Sequence, residues 1–302
     1  MDLITGDSSA YDNYPLTPST TAAPSVSSRM APPRVAEWTD VTATEGLEGV
    51  RTLKFTSIKK LNQVLEEEAS KASPSPYLIL KSVKTTDLAK IERARENGQT
   101  QRSLRLAWFE DLDLLIVKVP TMQHEWVYGQ LMKRLLIMAG TMGLEEEICY
   151  LGATKYQGRR NIAKEADCAF KPLSRRPRPL DWPTLVIEAG WSESRSRLRV
   201  DARIWLENSG GEVKIVLLIS PSRAARSIII EKWESTPLPD SRPRTRSTIT
   251  IEPGSVTGAP LTLDFQKVFL RQPVPPQEHD FVFDQQYLAN FAQTFWTANE
   301  IE

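Results

Sequence analysis

The sequence predicts an α/β protein of three layers, with helices on both faces of a central sheet. Two observations carry that expectation. Strand-like and helix-like segments alternate through the middle of the chain, and VKIVLLIS (213–220) is an apolar run of the kind found in a strand covered on both faces. The length of 302 residues is enough for one large domain or two small ones, and no internal repeat divides it.

Taken in order, residues 1 to about 38 are rich in Ser, Thr, Pro and Ala and cannot bury enough surface to order themselves, so a disordered tail is expected. The remainder, 39–302, reads as one domain with an extension at 39–103, a core at 104–234 and further strands and a helix at 235–302. TSIKKLNQVLEEEASKA (56–72) places Ile58, Leu61, Val64 and Leu65 at helical spacing. PYLILKSV then reads as a strand and TTDLAKIERARENG as a polar helix ending at Gly98; this extension could add to the same sheet. SLRLAWF and DLLIVKVP read as two strands joined by an acidic turn at Glu110 and Asp111.

Pro120 ends the second strand, and Thr121 caps a helix whose stripe is Trp126, Leu131, Leu135 and Met138. EEICYLGATKY, KEADCAF and PTLVIEAGW all read as strands. SESRSRLRVDARIWLEN is an amphipathic helix with Leu198, Ala202, Trp205 and Leu206 on one face, stopped by Gly210 and Gly211. Beyond VKIVLLIS, the segments RSIIIEKWE, RSTITIEP and LTLDFQKVF read as strands and DQQYLANFAQTFWTAN as a closing helix.

Bulk chemistry excludes several classes. Lys+Arg and Asp+Glu are both 38, so any basic surface must be local. Cys149 and Cys168 sit in apolar strand-like contexts, as buried reduced thiols of an intracellular protein do. The N-terminus lacks the basic and apolar regions of a secretory signal, and no apolar run approaches the roughly 20 residues that span a bilayer. A cytosolic or nuclear protein is expected. Zinc-ligand spacing, a phosphate-binding glycine loop and a Gly-x-Ser-x-Gly elbow are all missing. Trp126 and Trp205 read as core residues.

The informative residues are carboxylates. Asp167 stands mid-strand in KEADCAF among apolar neighbours, where an ionised group is costly without a compensating charge. Glu188 ends the apolar run TLVIE before Ala189 and Gly190. Glu125 lies in the first turn of the helix after Pro120, beside His124. If the strands of Asp167 and Glu188 are neighbours, their carboxylates share one end of the sheet and could hold Mg²⁺ or Mn²⁺. An ion pair of Asp167 with Lys155, Lys164 or an arginine is the alternative, with Glu188 then a strand-end residue. Glu125 is also explained by the helix dipole, and His124 by a surface role.

The ordered series resembles the PD-(D/E)XK restriction-endonuclease-like superfamily, most closely its Uma-type branch. It comprises Trp108-Phe109-Glu110, Asp113, Pro120, His124 and Glu125, then Asp167 in EADCAF, Glu188 in PTLVIEAGWSES, the helix at 195–208 and VKIVLLIS. The resemblance covers about residues 104–234 and implies a restriction-endonuclease-like α/β/α core with a mixed central sheet. It also implies phosphodiester hydrolysis by metal-activated water, with Asp167, Glu188 and Glu125 holding Mg²⁺ or Mn²⁺ and His124 assisting.

One position departs from that pattern. The superfamily's lysine two residues after the glutamate is replaced here by Gly190. The following helix offers only arginines, of which Arg199 and Arg203, four apart, share a face and are the candidates to stabilise phosphate. Arginine stays protonated and cannot act as a base, so Lys155 and Lys164 are the fallback. A catalytically inactive nuclease-fold protein that binds nucleic acid or protein is therefore the alternative, and a purely structural interaction module a third.

Two proline-interrupted basic segments complete the candidates. KPLSRRPRPLDW carries Lys171, Arg175, Arg176 and Arg178, and SRPRTRS carries Arg242, Arg244 and Arg246. They read as solvated loop charges or as contacts to a nucleic-acid backbone beside the metal site.

Overall fold

A computed structural model describes residues 37–190, 195–237 and 241–299. The tail expected at 1–38 falls, up to residue 36, outside the described residues. The chain is a mixed α/β protein, but its strands build two large sheets instead of one.

The smaller sheet has the order β1-β2-β4-β3-β7-β6. Its strands are β1 (Thr52–Lys54), β2 (Tyr77–Lys81), β3 (Arg105–Phe109), β4 (Leu114–Lys118), β6 (Lys155–Gln157) and β7 (Ile162–Glu165). A short helix, α1 (Asp40–Ala43), precedes it, and α2 (Ile58–Ala69) and α3 (Thr85–Glu96) connect its first strands. Ser57 caps α2 by accepting the Lys60 N–H at 3.2 Å. Leu61, Val64 and Leu65 of α2, with Leu88 and Ile91 of α3, pack on Leu78, Leu106, Trp108, Leu115 and Val117. The acidic turn is a single 3-10 turn, Glu110–Leu112, closed by Asp113 in the left-handed region at φ 49°. The extension at 39–103 thus adds β1 and β2 to the edge of the smaller sheet, beside β4 of the segment expected as core, and contributes no strand to the larger one.

The larger sheet, of order β13-β12-β11-β10-β9-β8-β5, contains the rest. Its strands are β5 (Ile148–Tyr150), β8 (Cys168–Pro172), β9 (Leu185–Ala189), β10 (Ile215–Ser222), β11 (Ser227–Ser235), β12 (Pro243–Glu252) and β13 (Ser255–Thr257). Strand β8 runs antiparallel to β5 and to β9, whereas β10 is parallel to β9. The parallel step is made by α5 (Arg195–Asn208), the crossover helix such a step requires. In front of β5 lies α4 (Met122–Thr141), so the central order is helix, three antiparallel strands, helix, parallel strand.

The chain closes with the ribbon β14 (Leu261–Leu263) and β15 (Phe281–Phe283), α6 (Phe265–Phe269) and α7 (Gln285–Ala298). LTLDFQKVF, expected as one strand, turns into α6 because Asp264 caps it by accepting the Lys267 N–H at 3.0 Å. Leu131 and Leu135 of α4 and Phe291 and Phe295 of α7 cover one face of the larger sheet through Phe170, Ile187, Ile215 and Leu217.

Helix α5 is the keystone. One side, with Leu198, Ala202 and Trp205, packs on Ala169, Val186, Val216 and Leu218 of the larger sheet. The other side, with Val200 and Ile204, packs on Tyr77, Ile79, Ala107, Phe109 and Ile116 of the smaller sheet. A helix covered on two sides buries its polar residues as well, and Arg197, Asp201 and Asn208 are each 1% exposed. Trp205 is 1% exposed and lies in the core as expected, whereas Trp126 is partly buried and packs against the core through Phe291 and Phe295.

Candidate functional site

KEADCAF is two strands and not one. Chain crossing from the smaller sheet to the larger occurs between Glu165, the end of β7, and Cys168, the start of β8, and Asp167 stands at that crossing. The apolar alternation runs through it because both sheets bury the segment: Ala163 is in the core of one, and Ala166 and Ala169 lie under the other. Cys168 pairs with Ile187, which puts Asp167 one step further along, level with Glu188. The two carboxylates therefore lie together at one end of the sheet, on the face covered by α5.

Each acid meets a lysine from the opposite sheet. Lys118, at the end of β4, donates to Asp167 Oδ2 at 2.9 Å and to the Ala189 carbonyl at 2.6 Å. The Ala189 N–H donates to the same carboxylate oxygen at 2.9 Å. Lys164 of β7 lies 3.3 Å from Glu188 Oε1 and 3.0 Å from Asp201 Oδ1. Arg197 completes the cluster, reaching Asp201 Oδ1 at 2.8 Å and the Ala43 carbonyl at 2.6 Å. Three cations thus face three carboxylates one for one. The least buried member, Lys164, is 6% exposed.

The protonation equilibria follow from this packing. Burial pushes Asp167 up, but the Lys118 ammonium and the Ala189 N–H outweigh it and hold the carboxyl below its ordinary value. Burial likewise opposes ionisation of Asp201, and Arg197 and Lys164 overcome it, lowering its pKa to about 2. Glu188 is the exception. Burial, with Asp167 and Asp201 as like charges, outweighs Lys164 and Lys118 and raises it to about 7. Burial also opposes the Lys164 ammonium, yet Asp201 and Glu188 keep its pKa above the ordinary lysine value. Glu188 Oε1 accepts the Trp205 Nε1–H at 2.6 Å, whereas its Oε2 is buried with no hydrogen-bond partner. Replacing Trp205 by phenylalanine keeps most of the packing and removes this donor. The expected loss is about 2 kcal/mol, read from the urea midpoint.

The remaining candidates sit elsewhere. His124 is buried at the start of α4, where its Nδ1 accepts the Thr121 N–H at 3.0 Å and pairs with the Thr121 hydroxyl. Glu125 is half-exposed, 3.4 Å from Arg105 Nη2, and accepts from the Tyr128 hydroxyl. Arg199 turns to Glu231 at 2.6 Å and Arg203 to Glu45 at 3.6 Å, so neither helix arginine projects at the acids. The helix residue that does reach the cluster is Arg197. Lys155 pairs with Glu92 on α3.

The basic segments divide. Lys171 is buried and donates to the Arg178 carbonyl, and Arg176 is buried against the Pro183 carbonyl and Glu212. Arg175, Arg178, Arg242 and Arg244 are exposed. The loop of Arg175 and Arg178 begins beyond Pro172, about 17 Å from Asp167 at roughly 3.4 Å per strand residue. Arg244 pairs with Glu234, also toward that end of the sheet. These arginines are therefore not beside the carboxylates, because β8 leads away from Asp167 before the loop starts.

Sequence reasoning missed Lys118, Arg197 and Asp201. Lys118 carried the same signal as Asp167, a charge inside an apolar strand, in LLIVK. Arg197 and Asp201 were marked by Val200 and Ile204, which make α5 apolar on a second side.

A divalent cation takes six or more oxygen ligands and, in the case of magnesium, keeps several waters. Between the sheets at this cluster there is a cavity of about 10 Å³, enough for a single water at most. Among the described residues no group of three or more His, Cys, Asp or Glu side chains is arranged to hold a metal ion. With lysines on both acids, the residues as placed do not fit Mg²⁺ or Mn²⁺, and no hydrolytic step follows from them. No helix among the described residues is long and apolar enough to cross a membrane.

No protein-family model matches the chain, and no curated protein matches it. Among solved structures, it is similar to a proposed nuclease of DUF820 from Anabaena variabilis, with a TM-score of 0.38 and 14% identity over 62% of this chain and 90% of that one. At that level the function rests on the chain's own geometry.

Proposed function

We propose that the chain is a nuclease-fold protein that does not hydrolyse phosphodiesters and works as a binding module for nucleic acid. The observation that carries this reading is the compensation of Asp167 and Glu188 by Lys118 and Lys164 inside the fold. Carboxylates so paired have little affinity left for a metal, and a site with room for one water gives a scissile phosphate no access.

Binding is assigned to the end of the larger sheet that presents Arg175, Arg178, Arg242 and Arg244. Strands β8 and β12 are four places apart in the sheet, about 19 Å at ~4.8 Å per strand, a span that several backbone phosphates would bridge. Binding of a fluorescein-labelled duplex is expected to weaken steeply with salt. The Arg175→Glu, Arg244→Glu variant should bind at least about tenfold more weakly, because phosphate contacts dominate such affinity. Unchanged affinity would remove the assignment.

A hydrolytic reading has one observation in its favour. In space, though not in sequence, the two acids do acquire lysines in place of the one missing at Gly190. Supercoiled plasmid incubated with the protein and Mg²⁺ or Mn²⁺ is expected to stay intact. Cleavage that disappears in Asp167→Ala would establish the hydrolase instead.

A further inference from the structure

We infer that Lys232, Arg246 and Lys267 form a phosphate-holding subsite around the buried carboxylate of Glu234, carrying the binding surface from Arg244 across one face of the larger sheet to α6. In naming a nucleic-acid backbone as the source of the phosphate, this rests on the function proposed above.

Three cations from three elements share one carboxylate. Lys267 of α6 donates to Glu234 Oε2 at 2.8 Å. Lys232 of β11 and Arg246 of β12 each stand 3.6 Å from a Glu234 carboxylate oxygen, beyond hydrogen-bond reach. Lys232 also donates to the Thr262 carbonyl at 2.9 Å and Arg246 to the Ser235 carbonyl at 3.3 Å. These bonds fix the side chains without neutralising them. Among the described residues no other carboxylate is paired with any of the three, so three charges against one leave an excess of two. The Glu234 side chain is 7% exposed, whereas those of Arg246 and Lys267 are 37% and 40% exposed. The acid lies beneath, and the cations open to solvent.

A bulge in β12 brings Arg246 into this group. Lys232 pairs with Ser247 and Trp233 with Thr245, which makes Arg246 the extra residue between them. A β-bulge sets two residues of one strand against one of its partner and re-aims a side chain. Here the guanidinium turns to Glu234. Arg244 pairs with Glu234 itself, so its side chain leaves the same face of the sheet. Arg244, Arg246, Lys232 and Lys267 thereby form one basic track. Excess positive charge held by backbone carbonyls and one buried acid suits a compact anion with several acceptor oxygens, and a phosphate group has that chemistry.

The test is binding of a fluorescein-labelled duplex at several salt concentrations, with thermal unfolding in inorganic phosphate against chloride at equal ionic strength as a second arm. Arg246→Ala combined with Lys267→Ala should bind the duplex at least about tenfold more weakly at ~0.1 M salt. The same variant should reduce the slope of log K on log salt by about 1.8, two contacts at ~0.9 each. Arg246→Gln and Lys267→Gln, made singly, leave Glu234 the other cation and keep the measurement if the double variant does not fold. Each should reduce the slope by about 0.9. Lys81→Ala, on β2 of the smaller sheet, should leave it unchanged. Unchanged slope and affinity in these variants, while Arg175→Glu, Arg244→Glu still weakens binding, overturns the subsite and leaves the nucleic-acid reading standing. A wild type that binds no duplex removes that reading, and the phosphate arm then decides. A rise in melting temperature with phosphate that both glutamine variants lose supports a subsite for free phosphate, and no rise overturns it.

Discussion

Replacing Asp201 by alanine should destabilise the protein by about 3–5 kcal/mol, the cost of leaving buried charge uncompensated. Asp201 is 1% exposed and holds two cations, Arg197 at 2.8 Å and Lys164 at 3.0 Å. Arg197 keeps the Ala43 carbonyl and Lys164 keeps Glu188, but both lose the carboxylate they shared. The control is Lys81→Ala, which breaks a pair with Asp40 whose side chains are 52% and 51% exposed. That change should cost less than about 1 kcal/mol. Urea unfolding of the two variants measures the contrast, and equal midpoints would show that the inter-sheet charges are dispensable.

The second large effect is a dependence of stability on pH, and Glu188 sets its sign. Its folded pKa is about 7, above the ordinary value of 4.5, so the folded state binds a proton that the unfolded state has already released. Stability from this group is fully present below about pH 4.5 and is lost as pH rises through about 7, by roughly 3 kcal/mol in total. Asp167 and Asp201 act in the opposite direction and at lower pH. Their folded pKa values are lowered, so their contribution is present above the ordinary carboxyl range and is lost on acidification. Between pH 5.5 and 8 the wild type should therefore lose about 2 kcal/mol that Glu188→Gln does not lose. Glutamine still accepts from Trp205 Nε1, so the comparison isolates the proton. Denaturant midpoints at the two pH values decide it: parallel lines for both proteins would place the titration elsewhere.

Much of the secondary structure was legible because single segments carried it. The helix with Leu198, Ala202 and Trp205 and the strand around Ile215–Ile219 lie where their periodicity put them. The two sheets were not legible, since strand patterns report burial and not which sheet provides it. KEADCAF shows the difficulty: its alternation is unbroken where the chain leaves one sheet for the other, because both cover it. The same holds for EEICYLGATKY, whose halves became β5 of the larger sheet and β6 of the smaller.

The neighbourhood of Asp167 and Glu188 was legible from charges inside apolar runs, and their partners were not. Lys164 stood among the alternatives because it is close in sequence. Lys118 lies 49 residues from Asp167, and only the pairing of β4 with β3 and of β3 with β7 brings it near. Spacing places Arg199 and Arg203 on one helix face but does not say which faces of α5 are covered. Burial of two sides turned Arg197 and Asp201 inward and left Arg199 and Arg203 to pair near the rim.

The way the chain alternates between the sheets has a consequence for how it folds. Strands β1 to β4 belong to the smaller sheet, β5 to the larger, β6 and β7 to the smaller again, and β8 to β13 to the larger. No single cut separates them into two self-sufficient fragments. A piece starting at residue 104 would lack β1 and β2 and with them Tyr77 and Ile79, part of the cover over Val200 and Ile204 of α5, while one ending at Glu165 would have no α5 at all. Neither sheet is complete without strands that lie on both sides of the other in sequence, and the Lys118–Asp167 pair at the crossing, 49 residues apart, is a long-range contact that early local structure does not supply.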